Sequence, residues 1–399
     1  MDFNLSAEQQ LLRDSVTRFV RERHPFKTRR TIANGATGYS DGLWSAMAEL
    51  GWLALNVPED QGGLGAPMAD TLVLVQGLGE GLVAEPVINT GVWAACLLAG
   101  GEGAAVRRHW LEAIASGAAR LVVAHRENGR SWQSLPPATR ARRDGDGYVL
   151  GGQKIAVFDA PVADALLVTA AEEGQPGLAV FLVERNTPGL VRDDYRLVDG
   201  TAASDLTLLN CRVPAANRLL AGEEGAAVFA AASDRAHLAV LATLAGLMEG
   251  SPELAADYAR TRRQFGQPIG AFQAIQHLLA DMFVACQESQ SILFHALAAI
   301  DSPDASQRQR ALSAAAVVMG EGLRFVTEQG IQLHGGYGVT DEYAISHYHR
   351  RGLVLAQWFG DGDEHLARFS RLAPEGDRRH DGDGSLLRPG SQTEVGGGP

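Results

Sequence analysis

At 399 residues, with 46% hydrophobic and 21% charged residues, the chain has the composition of a soluble globular protein and is too long for one ordinary core. A formal net charge of −12 argues against nucleic acid or an anionic membrane as partner, so any phosphate-bearing ligand needs a local basic cluster. The cysteines Cys96, Cys211 and Cys286 form no CxxC pair, which excludes a cysteine zinc site and argues against a disulfide framework.

The start, "MDFNLSAEQQLLRDSV", lacks the apolar core of a signal peptide, and no uninterrupted apolar run reaches about 18 residues, so a cytoplasmic protein that spans no membrane is expected. Ser6 reads as the N-cap of a first helix whose apolar positions are Leu11, Leu12, Val16, Phe19 and Val20. "SDGLWSAMAELGW" and "MADTLVLVQGLGEGLV" predict two more helices, separated by the loop "VPEDQGGLGAP". From Leu121 short β-prone runs follow ("LVVAH", "GYVLGGQKIAVF", "DALLVTA", "LAVFLVE", "DLTLLNCRV"), and their spacing predicts a small antiparallel sheet or barrel. Helices return near Ala226, with Leu238, Leu241, Ala245 and Met248 on one face and Ile275, Leu279, Met282, Cys286 and Leu293 on another. Gly250 to Glu253 reads as a break, with Ser251 as N-cap and Pro252 at the first helical position. The final stretch from Ala373 has no periodicity and reads as disordered. Three regions result: a helical 1–120, a β-rich 121–225 and a helical 226–373, then a tail at 374–399.

Two stretches carry candidate ligand chemistry. In "YARTRRQFGQPIGAFQAIQHLLADM", Arg260, Arg262 and Arg263 end one helix and a second opens at Phe272-Gln273. Arginine can grip a pyrophosphate in bidentate fashion, a helix start offers free amides, Phe265 can lie against an adenine and Gln273 can hydrogen-bond ligand oxygens. The same residues also read as a charged helix end with a tight turn. In "QLHGGYGVTDEY", Gly335, Gly336 and Gly338 allow close backbone approach, although most such runs are simply turns.

Together, in this order and separation, RxxFG…Q and QxxGGxG resemble the acyl-CoA dehydrogenase family. "ELGWLALNVPEDQGGLG" and "GYVLGGQKI" extend the resemblance over nearly the whole chain. It implies an α+β, mostly α fold: an N-terminal helical domain, a middle antiparallel β-barrel-like domain and a C-terminal four-helix bundle. It further implies an oxidoreductase acting on CH–CH bonds that uses FAD to desaturate an acyl-CoA, assembled as a dimer or tetramer. Arg262, Phe265 and Gln273 would hold the ADP half of the flavin, with Gln332, Gly335 and Gly336 from a neighbouring subunit, and an electron-transfer flavoprotein would be the acceptor.

The resemblance fails where the chemistry occurs. The family's catalytic Glu, counted from Arg350, falls on Phe359, which cannot accept a proton. The alternative base position on the first bundle helix falls at Ala236, with Asp234 the nearest acid. The family's TEP…GSD segment is replaced by "AHRENGRS", and its Trp-Ile-Thr by Ala156-Val157-Phe158. These departures resemble the base-lacking subunit of bacterial heteromeric acyl-CoA dehydrogenases of the steroid side-chain and dicarboxylic acid type. The expected partner is then a paralogue carrying the base, in a heterotetramer. Two rivals remain: a self-sufficient enzyme using Asp234 or Asp361, and an acyl-CoA-binding scaffold without flavin. "QWFGDGDEH" reads as a polar loop and helix start rather than a metal site, and His334, His347 and His349 as surface or interface residues.

Overall fold

The computed structural model describes residues 4–373; the expected tail at 374–399 lies outside the described residues. The first part contains α1 (Ala7–Arg23), α2 (Phe26–Ala33), α3 (Asp41–Glu49), α4 (Met68–Glu80), a π-helical segment Val87–Ala94 leading into α5 (Ala95–Ala99), and α6 (Ala104–Ala115). Ser6 caps α1 through a reciprocal capping box with Gln9. Val16 and Phe19 are buried as the periodicity requires, but Leu11 faces solvent.

The middle part contains β1 (Leu121–Ala124), β2 (Arg140–Asp144), β3 (Gly147–Phe158), β4 (Ala165–Glu172), β5 (Ala179–Glu184), β6 (Leu190–Arg196), β7 (Ala202–Pro214) and β8 (Arg218–Leu220). The strands pair in the order β6-β7-β3-β2-β4-β5-β8, with β1 also on β4. The sheet is not purely antiparallel: β1 and β2 both run parallel to β4. The long connection after β1 lets the chain cross over, which a hairpin cannot do. β2, "RARRD", was not legible as a strand because it has no apolar alternation. The runs β1, β4 and β5 are buried on both faces. Leu121, Val123, Ala165 and Leu167 face the helices, whereas Val122, Ala124, Leu166 and Val168 line a second core inside the sheet.

The last part contains α7 (Gly222–Thr261), the hairpin β9 (Arg263–Gln264) and β10 (Gln267–Pro268), then α8 (Gln273–Ala299), α9 (Ala305–His334), α10 (Ile345–Leu355) and α11 (Gly362–Arg371). The expected break at Gly250–Glu253 does not occur, because α7 runs straight through Pro252. Proline removes the amide that Met248 would accept from, but the Cys286 thiol of α8 donates to that Met248 carbonyl at 3.4 Å. Close packing holds the rod in place. A Cβ on Gly246 would lie 1.9 Å from the Gln76 carbonyl of α4, so only glycine permits this crossing. By length and composition α7 could cross a membrane, contrary to the reading of the sequence, yet 72% of its apolar window is buried inside the protein.

Candidate functional site

The residues singled out in the sequence fall into two separate regions. The first is the end of the bundle where α7 and α9 both terminate. Arg262 is the C-cap of α7 and is exposed. In the hairpin that follows, Gln264 pairs with Gln267 across a turn in which Phe265 and Gly266 both have positive φ, 52° and 83°. That geometry suits Gly266 and strains Phe265. Phe265 is nevertheless held outward at 91% exposure, with only an edge contact to Phe272 at 6.1 Å. Gln273 is the first residue of α8, which no side chain caps. On α9, Gln332 is exposed and Gly335 (φ 58°, ψ −141°) caps the helix. A Cβ on Gly335 or Gly336 would meet nothing within 4 Å, so the backbone is open to approach there. Tyr258 packs on His334 at 4.4 Å, which brings the arginine and glycine segments of one chain to the same end. His334 is a buried part of that packing, its Nδ1 2.7 Å from the Gly330 carbonyl, and not a surface residue.

The second region surrounds Phe359, which is 2% exposed. Its ring packs against Trp93 at 5.0 Å, Trp132 at 4.9 Å, Trp358 at 5.8 Å and His237 at 5.2 Å, and His237 stacks in turn on His365 at 4.8 Å. None of these rings brings a carboxylate. Burial drives His237 well below its ordinary pKa and His365 down to about 4, so neither carries a proton at neutral pH. His125 joins the cluster through Trp132 and Phe229, and burial together with Lys154 lowers it to about 3.

A buried polar network fixes the wall behind Trp132. Lys154, fully buried, donates to Glu127 at 2.7 Å and to the Thr169 hydroxyl at 3.0 Å. Glu127 also accepts from the amides of Ala138 and Thr139 and from the Thr139 hydroxyl. Burial alone would raise the Glu127 pKa, but the ammonium and these donors hold it at about 2. Beside this wall Val123, His125, Ala156, Phe158 and Trp358 enclose only about 10 Å³, too little for any ring.

Both alternative acids are engaged by other groups of the chain. Asp234 is buried and binds Arg308 at 3.0 Å, an ion pair that ties α7 to α9; burial still raises its pKa to about 6. Asp361 caps α11, accepting from the Glu364 amide at 2.8 Å. "QWFGDGDEH" is thus the end of one helix turn and the start of another.

Family models place the chain: the N-terminal, middle and C-terminal domains of acyl-CoA dehydrogenases match residues 6–118, 122–211 and 223–371. The chain belongs to the acyl-CoA dehydrogenase family. It is 28% identical to the probable acyl-CoA dehydrogenase YngJ of Bacillus subtilis, over 92% of this chain and 98% of that one. Among solved structures it resembles the ChsE4-ChsE5 complex from Mycobacterium tuberculosis (28% identity, TM-score 0.85, covering 93% and 98% of the two chains). It also resembles a variant of the Tcur3481-Tcur3483 steroid ACAD (28% identity, TM-score 0.82, covering 93% and 99%). This is a family of oxidoreductases acting on CH–CH bonds.

The sequence reading puts Phe359 at the position of that family's base but says nothing of what surrounds it. Trp93, Trp132 and His237 converge from three parts of the chain, and nothing in their local spacing announces it. Lys154 had a signal: a single lysine inside the apolar strand "YVLGGQKIAVF" must find a buried anion.

Proposed function

We propose that this chain is the companion subunit of a hetero-oligomeric, FAD-dependent acyl-CoA dehydrogenase, paired in a heterotetramer with a paralogue that carries the catalytic Glu. The observation that carries this reading is the packing of Phe359: where a base would stand, four aromatic rings close the volume. Enzymes of this kind remove a proton from Cα with a carboxylate while hydride passes from Cβ to the flavin. This chain supplies no carboxylate at that position, and the space enclosed beside Ala156 and Phe158, where the resemblance would put the flavin ring, is only about 10 Å³. The other end does suit the phosphate half. Arg262, Phe265, Gln273, Gln332, Gly335 and Gly336 are exposed or first in their helix, and one chain presents all of them together. We assign these residues to binding the ADP half of a flavin whose ring lies in the partner. Two structural relatives carry names that pair two proteins, which agrees with a hetero-oligomer. An acyl-CoA of the steroid side-chain type as substrate, an electron-transfer flavoprotein as acceptor and a cytoplasmic location complete the proposal.

The self-sufficient alternative needs Asp234 or Asp361, and both are committed to an ion pair or a helix cap. The scaffold alternative needs no flavin at all. Arg262→Ala in the co-expressed assembly separates it: loss of a charge-assisted contact costs about 1.5–3 kcal/mol, roughly ten- to a hundredfold in FAD affinity. Full flavin retention at submicromolar concentration would remove the assignment.

A further inference from the structure

Between α7, α9 and the α10–α11 connection runs a groove of about 680 Å³, the size of a ligand pocket or of a folded turn of chain. Its walls mix apolar side chains, among them Leu241, Leu244, Val317 and Leu353, with polar ones such as Thr327, His349 and Gln357, and Phe359 and His365 also line it. His365 is 2% exposed and its Nδ1 has no hydrogen-bond partner, an unmet donor or acceptor in the lining of the groove. Glu321 and Asp363 also line the groove, and neither has an ion-pair partner among the described residues; Asp361 adds charge beside them at the start of α11. Glu328, by contrast, is balanced by Arg324 at 3.2 Å. A trough with apolar patches and unpaired carboxylates repels a diphosphate and favours a cationic segment with an apolar tip.

The opposite end of α7 displays a segment of that chemistry. Arg262, Arg263 and the exposed Phe265 project as a short hairpin, and the Arg262 side chain has no partner among the described residues. Resting on the companion-subunit reading, a two-fold or pseudo-two-fold contact has a further requirement. If this hairpin reaches the partner's flavin, the partner's equivalent hairpin must return to the equivalent surface of this chain. We propose that the groove receives the arginine hairpin of the paralogous partner directly, Glu321 and Asp363 taking the place that a flavin diphosphate holds in the partner's own site. Arginine pairs with carboxylates as readily as with phosphates, in the same forked geometry, and the apolar tip fills the trough.

The test uses a backbone-cyclised peptide of residues 260–269 as a stand-in for the hairpin, titrated against the full chain by fluorescence anisotropy. Saturable binding is expected at low salt, weakened at least tenfold at 0.5 M salt. Binding should also weaken at least tenfold for Glu321→Lys combined with Asp363→Lys, with circular dichroism and melting unchanged. No binding, or binding that the double substitution leaves intact, overturns the inference. Sedimentation of the chain alone supplies the second arm. A homodimer that the double substitution dissociates would make the occupant a second copy and overturn the assignment to a partner. The Arg262→Ala flavin measurement probes the other end of α7, so the companion-subunit reading stands or falls separately.

Discussion

Where α7 ends, Arg262 and Phe265 stand in solvent and the neighbouring glycine backbone of Gly335 and Gly336 is open. Around His237 the same helix packs against Phe359, whose ring in turn meets Trp93 and Trp132. One chain thus presents an open end and a filled wall. The difference teaches that the state of a position is read most securely from what packs around it. A polar or small residue at position 359 would leave a vacant pocket, whereas an aromatic ring in contact with four others makes the closure part of the core.

The sharpest way to break this comparison is to empty the closed side. Phe359→Ala should cost about 3–5 kcal/mol, the usual penalty for deleting a buried aromatic ring, measured by urea unfolding of the chain. A cost below about 1 kcal/mol would mean that Phe359 lies in an open pocket. Asp234→Asn should cost about 1–3 kcal/mol by weakening the buried bond to Arg308, and the turnover of the assembled enzyme should persist in stopped-flow flavin reduction. Abolished turnover with the fold intact would make Asp234 a base and revive the self-sufficient enzyme.

Acid should act on the closed side as well. Glu127 has a folded pKa of about 2 against an ordinary 4.5, so the stability it contributes is complete above pH 4.5 and declines as pH falls toward 2. Glu127→Gln should flatten that part of the stability profile, followed by tryptophan fluorescence between pH 2 and 6. The smallest expected effect belongs to the open side. Phe265→Gly removes an exposed ring from a positive-φ position and should change stability by no more than about 0.5 kcal/mol, by thermal melting. Greater destabilisation would show that Phe265 packs against the chain rather than waiting for a partner.

Much of this was legible in the sequence, for reasons that are local. Ser6 with its Gln9 and the start of α11 at Asp361 are cap signals written within four residues. The family signature likewise sits in two short segments. What was not legible depends on distant partners. Pro252 looked like a break because its compensating donor, Cys286, lies on another helix. His334 looked like a surface residue because Tyr258, which covers it, is far away in the chain. Asp234 reads as a free acid because Arg308, which binds it, lies on another helix.

The unbroken course of α7 through Pro252 fixes a distance with its own consequence. At the rise of an α-helix, Arg262 lies roughly 37 Å from His237, farther than a small domain is wide. The helix that joins them is continuous. No single flavin can therefore be touched by Arg262 and ringed by the Phe359 wall of the same chain. Counting follows from geometry: if each flavin needs the arginine end of this chain and a reactive pocket in another, a complex of equal numbers carries one flavin for every two polypeptides. That stoichiometry is open to reading from the ratio of flavin to protein absorbance.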